Sequence, residues 1–303
     1  MSLAARNIHV IINPVSGTSD APFNIFGQVL ADYPHPTTVH ITKPDHDAPE
    51  CVQDALHAGA DLVIAYGGDG TVMSVANALH GHDVPLAIVP GGTANVVAHE
   101  LNIPDNAQEA LARLFNGEMS LRWIDAGKIG DQYFLLRTSI GWQAEVSQRP
   151  TTEEKSLWGR LAYTHAGLQS LSELEPVTYR ITLDDDTVEE VSGIDCSLCN
   201  IGNIGIPSIN ISTSVVPDDG YLNVLVLQNN NLQGILDLGQ NLLANILSQE
   251  IEERLLSFKA KRITVDMDQP QRVSIDGDAL EMSFPLTAEC VPNYIAIMAP
   301  EAV

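Results

Sequence analysis

Along the first third of the chain the apolar positions switch between two periods. "NIHVII", "TVHIT", "DLVIAY" and "VPLAIVP" are short apolar or alternating runs rich in β-branched residues, a strand signal. Between them, "FNIFGQVLADY", "APECVQDALHAG", "TVMSVANALHG" and "ANVVAHELN" place apolar residues three or four apart, the helical period. Gly59 and Gly81 stand where two of these helices should stop, as glycine does just past a helix end. This βαβα alternation predicts a parallel sheet covered by helices.

After about residue 123 the texture changes. "DQYFLLRTSIG", "VTYRITLDDDTVEEVSG", "IDCSLCNIGN", "GYLNVLVLQ", "AKRITVDMD" and "QRVSIDGDALE" are β-type runs separated by turn residues, the spacing of a β-sandwich or open barrel. The "DDD" at 184–186 reads as a solvated hairpin turn. Two amphipathic stretches, "SLWGRLAYTHAGLQSLSEL" and "LQGILDLGQNLLANILSQEIEERLLSF", predict helices within this region. Leu157, Leu161, Leu168 and Leu171 share a face of the first, as core or as the lining of a cleft. "NYIAIMAP" is a last apolar strand.

Charge narrows the function classes. Thirty-nine acids face fifteen bases, a net charge of −24 over 303 residues, which argues against duplex nucleic acid as a partner and against simple electrostatic adsorption to anionic membranes. An acidic surface of this kind is commonly a solubility or salt adaptation. Five of the bases, Arg254, Lys259, Lys261, Arg262 and Arg272, fall within nineteen residues, either as a face paired with the surplus acids or as a patch for phospholipid head groups. No run reaches the ~18 apolar residues of a membrane span, and "MSLAARNIHVIINP" lacks a signal-peptide pattern. Cys196 and Cys199 lie three apart on a strand and so face opposite sides, which opposes a shared zinc or disulfide. The expectation is a reduced, cytoplasmic chain that is not an integral membrane protein, with sandwich edges compatible with a homodimer.

The candidate chemistry sits where strands hand over to helices. Gly67-Gly68-Asp69-Gly70-Thr71 follows one predicted strand and Pro90-Gly91-Gly92-Thr93 another, while Asn13, Ser16 and Gly17 follow the first. A glycine turn opening a helix presents backbone N–H groups to an anion. Asp69 would repel phosphate directly, so its sensible roles are holding Mg²⁺ or accepting a proton. Thr71 is suited to cap the helix and donate to phosphate. Loops at neighbouring strand ends would meet along one edge of a parallel sheet, where α/β proteins bind ligands. Neither G-x-x-x-x-G-K-[ST] nor G-x-G-x-x-G is present.

The set "NPVSG", "GGDGT" and "PGGTAN", followed by "DDGYLNVLVL" and "KAKRITVDMDQPQRVSIDGDALE", resembles the lipid kinase family that contains bacterial diacylglycerol kinases and eukaryotic sphingosine and ceramide kinases. The resemblance covers nearly the whole chain. It implies an α/β ATP-binding domain like that of NAD kinases and phosphofructokinases over residues 1–125, rejoined by about 288–303, and a β-sandwich domain for the lipid substrate over 126–287. It implies ATP and Mg²⁺ as cofactors and a lipid at the membrane surface as substrate, diacylglycerol first, met at the inner membrane face. Position by position, Asn13, Thr42, Gly67, Gly68, Asp69, Gly70, Thr71, Val72, Met73 and Thr93 would contact ATP. Asp219, with carbonyls at Val216 and Tyr221, matches a structural Mg²⁺ site.

The family's D-G-E supplies a catalytic carboxylate, and here the motif reads Asp276-Gly277-Asp278. Asp276, Asp278 and Asp69 are therefore the catalytic candidates, with the base open between Asp276 and Asp278. Val96 follows Asn95 where many diacylglycerol kinases carry aspartate, which bears on the acceptor lipid. Asp125 stands as either a member of the catalytic network or a turn residue. Two other readings stay open: an NAD kinase-like enzyme, whose T-P-T-G-S-T-A-Y-type motif is not found in the sequence, and a non-catalytic nucleotide- or lipid-binding regulator on the same fold.

Overall fold

The computed structural model describes residues 5–16, 21–30, 33–141, 144, 175–206, 209–210, 214–228, 256–269 and 271–301. The chain divides into two compact units, Met1–Ile124 with Gly205–Pro207 and Asn293–Val303, and Asp125–Ile204 with Ser208–Pro292.

In the first unit β1 (Ile8–Ile12), α1 (Ala21–Leu30), β2 (Thr37–Ile41), α2 (Ala48–His57), β3 (Leu62–Gly67), α3 (Asp69–Leu79), β4 (Leu86–Pro90), α4 (Val96–Glu100) and α5 (Ala107–Phe115) follow in turn, and β5 (Met119–Ile129) leads out of it. The strands run parallel in the order β2-β1-β3-β4. Every residue of β1, β3 and β4 is buried, which is why each reads as a largely apolar run, broken in β1 only by the buried His9. The edge strand β2 leaves Val39 and Ile41 exposed. Helix α2 starts at a capping box in which Asp47 accepts from Glu50 N and Glu50 accepts from Asp47 N. Gly59, at φ +75°, follows its end. Helix α5 was not foreseen. Asn106 caps it by accepting from Glu109 N, and Ala110, Leu111 and Leu114 form its buried face.

The second unit contains β6 (Gln132–Phe134), β7 (Arg137–Gly141), β8 (Val177–Leu183), β9 (Thr187–Gly193), β10 (Asp195–Cys199), β11 (Asn203–Ile206), β12 (Ile209–Asn210), β13 (Leu222–Leu227), β14 (Leu256–Ala260), β15 (Arg262–Asp266), β16 (Val273–Ile275), β17 (Asp278–Leu280) and the start of β18 (Leu286–Pro300). One antiparallel sheet has the order β14-β13-β10-β7-β16-β17. β18, β15, β8 and β9 form a second antiparallel set. Tyr179 of β8 is fully buried and donates its hydroxyl to Ile140 O of β7, tying the two together. Cys196 and Cys199 are separate buried thiols of the central strand β10.

The last part of β18 belongs to the first unit. There Ile297 and Met298 pair in parallel with Leu86 and Ala87 of β4. His80 stacks on Tyr294 with ring centroids 4.1 Å apart, and Tyr294 donates to Asn77 Oδ1 at 2.6 Å, so the segment is fastened to α3.

Two readings change, and a third gains a role. "DQYFLLRTSIG" is two strands, broken where Leu135 and Leu136 turn their N–H groups to the Asp276 carboxylate. Residues 256–258, read as the end of the second long helix, open β14 and pair with β13 instead. The "DDD" segment is the exposed turn of the β8–β9 hairpin, as read from the sequence, and it also fastens a neighbour: Asp184 accepts from both Lys261 N and Arg262 N at 2.9 Å. The helix expected over 156–174, with Leu157, Leu161, Leu168 and Leu171, lies outside the described residues, as do the rest of the second helix and Arg254. Among the described residues, no helix is long and apolar enough to cross a membrane.

Candidate functional site

β1 connects outward to β2 while β3 lies on its other side, so the sheet order reverses between β1 and β3. In open α/β sheets that switch point, beyond the carboxyl ends of the strands, is where ligands bind. The loops that follow β1, β3 and β4 meet there. Asn13 N donates to Tyr66 O at 3.1 Å, and its side-chain amide donates to Thr71 Oγ1 at 3.0 Å, joining the first loop to the second. Thr42 N donates to Ile12 O at 2.9 Å, which sets Thr42 beside the end of β1.

The second and third loops touch through their backbones. Gly91 N donates to Gly67 O at 2.9 Å, and a Cβ on Gly92 would stand 2.4 Å from Gly68 Cα. Only glycine permits that approach. Asn95, in the left-handed region at φ +47°, folds its side chain back onto Gly92, accepting from its N–H and donating to its carbonyl. Asn is among the few residues that enter this region readily. Asp69 Oδ1 accepts from Val97 N at 3.2 Å, so the carboxylate of one loop holds the helix that leaves the other. Burial raises the Asp69 pKa, while the amides of Val96 and Val97 act against that rise.

These positions correct one expectation. Thr71 does not cap α3: the N-cap is Gly68, without a side-chain bond, and Thr71 is the third helical residue, buried and accepting from Asn13. Val72 is buried, Met73 is half-buried and Thr93 is exposed. At Gly70 a Cβ would meet nothing within 4 Å, so the backbone there borders open space.

In the second unit, Asp276 and Gly277 form the two-residue turn of the β16–β17 hairpin at φ +48° and +90°, the left-handed pair of a type I′ turn. The turn backbone is partly exposed, but the Asp276 carboxylate points inward. It accepts from Leu135 N and Leu136 N at 3.0 Å and from Arg137 N at 2.9 Å. Burial outweighs these bonds and pushes its pKa up to about 7. Asp278, by contrast, is exposed on β17. The buried Asn200 donates to Leu135 O and Asp125 O at 2.9 Å each, linking the backbone that carries Asp276 to the strand carrying Asp125. Nothing in the sequence around Asn200 signalled that role.

Asp125 is buried and orders a turn: Oδ2 accepts from Gly220 N at 2.6 Å, and its own N–H donates to Pro217 O. In that turn Asp219 accepts from Tyr221 N at 3.1 Å through Oδ1 and from Lys259 Nζ at 2.5 Å through Oδ2. Both oxygens are thus engaged by protein donors, a poor fit to a Mg²⁺ that needs near-octahedral oxygen ligands. Arg262 pairs with Asp185 and Glu289, so the basic cluster spends at least part of its charge on neighbouring acids.

The profile of the diacylglycerol kinase catalytic domain matches residues 7–129, and that of the YegS C-terminal NAD kinase beta sandwich-like domain matches 137–299. An uncharacterised Synechocystis protein is 31% identical over 248 residues, 80% of this chain and 55% of its own length, so the chain spans about half of that relative. A Staphylococcus aureus protein provisionally named a lipid kinase is 27% identical over 245 residues, 78% of this chain and 77% of its own. A crystal structure of a provisionally named diacylglycerol kinase from Bacillus anthracis superposes with a TM-score of 0.82 at 26% identity over 100% of both chains. An Archaeoglobus fulgidus NAD kinase shares the fold at 12% identity and a TM-score of 0.55, over 97% of this chain and 94% of its own.

Proposed function

Because the chain belongs to the diacylglycerol kinase catalytic-domain family, we propose that it is an ATP- and Mg²⁺-dependent lipid kinase that phosphorylates a primary hydroxyl, with diacylglycerol as acceptor and phosphatidic acid as product. The observation that carries this reading is the convergence of the loops after β1, β3 and β4, closed by the Gly68–Gly92 backbone contact and the Asp69–Val97 bond. Residues 1–125 with about 288–303 would bind the nucleotide and 126–287 the lipid, at the inner membrane face.

Asn13, Thr42, the segment Gly67–Met73 and Thr93 would hold ATP. The first-turn N–H groups of α3 favour an anion, and Gly70 leaves the backbone open to it. Val72 has its side chain in the core and can contribute only its backbone. Asp69 offers one carboxylate, the kind of donor Mg²⁺ uses when it arrives on nucleotide phosphates. Mg²⁺ bound there would neutralise charge on the transferring group. Asp278 would take the proton of the acceptor hydroxyl as its oxygen bonds to the γ-phosphorus and the bond to the β-phosphate oxygen breaks, releasing ADP. General base action of this kind is typically worth ~10²–10⁴ in rate. Asp276 is unsuited to that step, since three backbone amides already cover its oxygens. Its role is to hold the turn that presents Asp278.

The test is transfer of label from ATP, with Mg²⁺, to a panel of diacylglycerol, sphingoid base, phosphatidylglycerol, isoprenoid alcohol and NAD, resolved by chromatography. Labelled phosphatidic acid is expected. Label on NAD alone would move the chain to the NAD kinases. ATP binding by calorimetry without any labelled product would make it a regulator.

A further inference from the structure

The turn from Pro217 to Tyr221 is ordered by two carboxylates, and the charge that answers Asp219 comes from lysine. Asp125 Oδ2 accepts from Gly220 N at 2.6 Å, and Asp219 Oδ1 from Tyr221 N at 3.1 Å. The remaining Asp219 oxygen lies 2.5 Å from Lys259 Nζ, with the Asp219 side chain only 22% exposed. Strand register puts the lysine there: the β13–β14 ladder pairs Lys259 with Asn223, at the start of the strand into which this turn feeds. The ammonium groups of Lys259 and Lys261 also lie 5.0 and 5.4 Å from the centre of the Tyr221 ring, within cation–π reach. Asp125 and Asp219 both bear on the thiol of Cys290, pushing it further up after burial has done most, while Lys261 opposes them. Lys259 and Lys261 thus both stand beside the turn that Asp125 and Asp219 order, and Lys259 bonds to Asp219 directly.

A divalent ion at Asp219 would have to share that oxygen with an ammonium already in contact with it. Mg²⁺ binds oxygen at 2.0–2.1 Å and demands near-ideal geometry, so the two cations compete for one place. We propose that Lys259 is the built-in cation of this turn, holding the Asp219 carboxylate as a divalent metal would, so that the turn is ordered without metal. The inference concerns the folding of the turn and stands independently of the phosphoryl-transfer reading.

Thermal unfolding of the full chain without nucleotide tests it, in EDTA and in millimolar MgCl₂. The wild type should melt at the same temperature in both. Lys259→Met keeps the apolar stem and removes the charge. It should melt lower in EDTA by about 2–4 °C and recover in MgCl₂, because the uncovered Asp219 oxygen then takes the ion. Lys259→Arg, which keeps a cation, should stay insensitive to Mg²⁺, and adding Asp219→Asn to Lys259→Met should abolish the recovery. A wild type that melts higher in MgCl₂ than in EDTA overturns the proposal. So does a Lys259→Met protein whose loss is the same in both buffers. If Lys259→Met does not fold in EDTA but does in MgCl₂, the proposal stands; failure in both overturns it.

Discussion

The Asp69 carboxylate and the Val97 N–H, 28 residues apart, meet at 3.2 Å, so a side chain of the loop after β3 helps hold the helix that follows β4. A residue in that position has two separable properties, its shape and its charge. The shape holds α4, and the charge is what a metal-bound phosphate would meet.

Asp69→Asn therefore keeps an acceptor for Val97 and removes the charge. Because burial already disfavours the ionised carboxylate, the melting temperature should stay near that of the wild type. Lipid phosphorylation should be lost to below about one hundredth of wild type, on the scale of electrostatic groups acting on a transition state. Labelled-ATP turnover and a thermal melt on the same preparation check both halves, and near-wild-type turnover would remove Asp69 from the mechanism.

The two carboxylates of the 276–278 turn should fail in opposite ways. Asp278→Ala touches an exposed residue and should cost about 10²–10⁴ in kcat with an unchanged melt. Asp276→Ala strands the N–H groups of Leu135, Leu136 and Arg137, each unsatisfied buried donor costing about 1–3 kcal/mol. Its melting temperature should fall markedly. A stable, slow Asp276→Ala protein would make Asp276 the base instead.

The pH dependence of stability carries the signature of Asp276. Its pKa is about 7 in the folded protein against 3.8 as the ordinary value, so the folded state holds this proton more tightly than the unfolded one. The stability that follows is fully present below pH 3.8 and is lost as pH rises through about 7. Asp276→Asn stays neutral throughout, so its melting temperature relative to wild type should climb between about pH 4 and 7 and level off above that. The lowered pKa values of His9 and His40 act in the opposite sense, removing stability as pH falls below 6.5, but they are common to both proteins and drop out of the difference. A flat difference across that range would mean the carboxylate is not held protonated.

Glycine positions separate packing from ligand contact. Gly92→Ala would drive a methyl into the Gly68 backbone at 2.4 Å, forcing the two loops apart. Overpacking of this kind costs about 1–3 kcal/mol, so both the melt and ATP affinity should suffer. Gly70→Ala meets nothing within 4 Å, so its melt should hold while its methyl intrudes where phosphate is proposed to lie and weakens ATP binding. Calorimetric titration with ATP beside a melt distinguishes the two, and unchanged ATP affinity in Gly70→Ala would move the phosphate elsewhere.

Much of the first unit was legible because β1, β3 and β4 are buried on both faces while its helices bury only one, so period alone separated them. Helix α5 escaped although Asn106 and Glu109 carry a cap and Leu111 and Leu114 its buried face, because short helices give little periodic signal. The start of β14 was lost for a related reason. "RLLSF" continues an apolar stripe, and only its pairing with β13 makes residues 256–258 a strand.

The sequence by itself determined the alternation of strand and helix in the first unit, the β-rich second unit and the three strand-end motifs, because periodicity, glycine and turn chemistry are local properties. Only the tertiary structure decided which loops touch and what each carboxylate does. Asp69 reaching Val97, Asp276 turned in to three amides with Asp278 left exposed, and Lys259 set against Asp219 all depend on strand order and register. Those bring together residues far apart in the chain, and whether a carboxylate is buried, bonded or open to solvent is fixed by its neighbours in space.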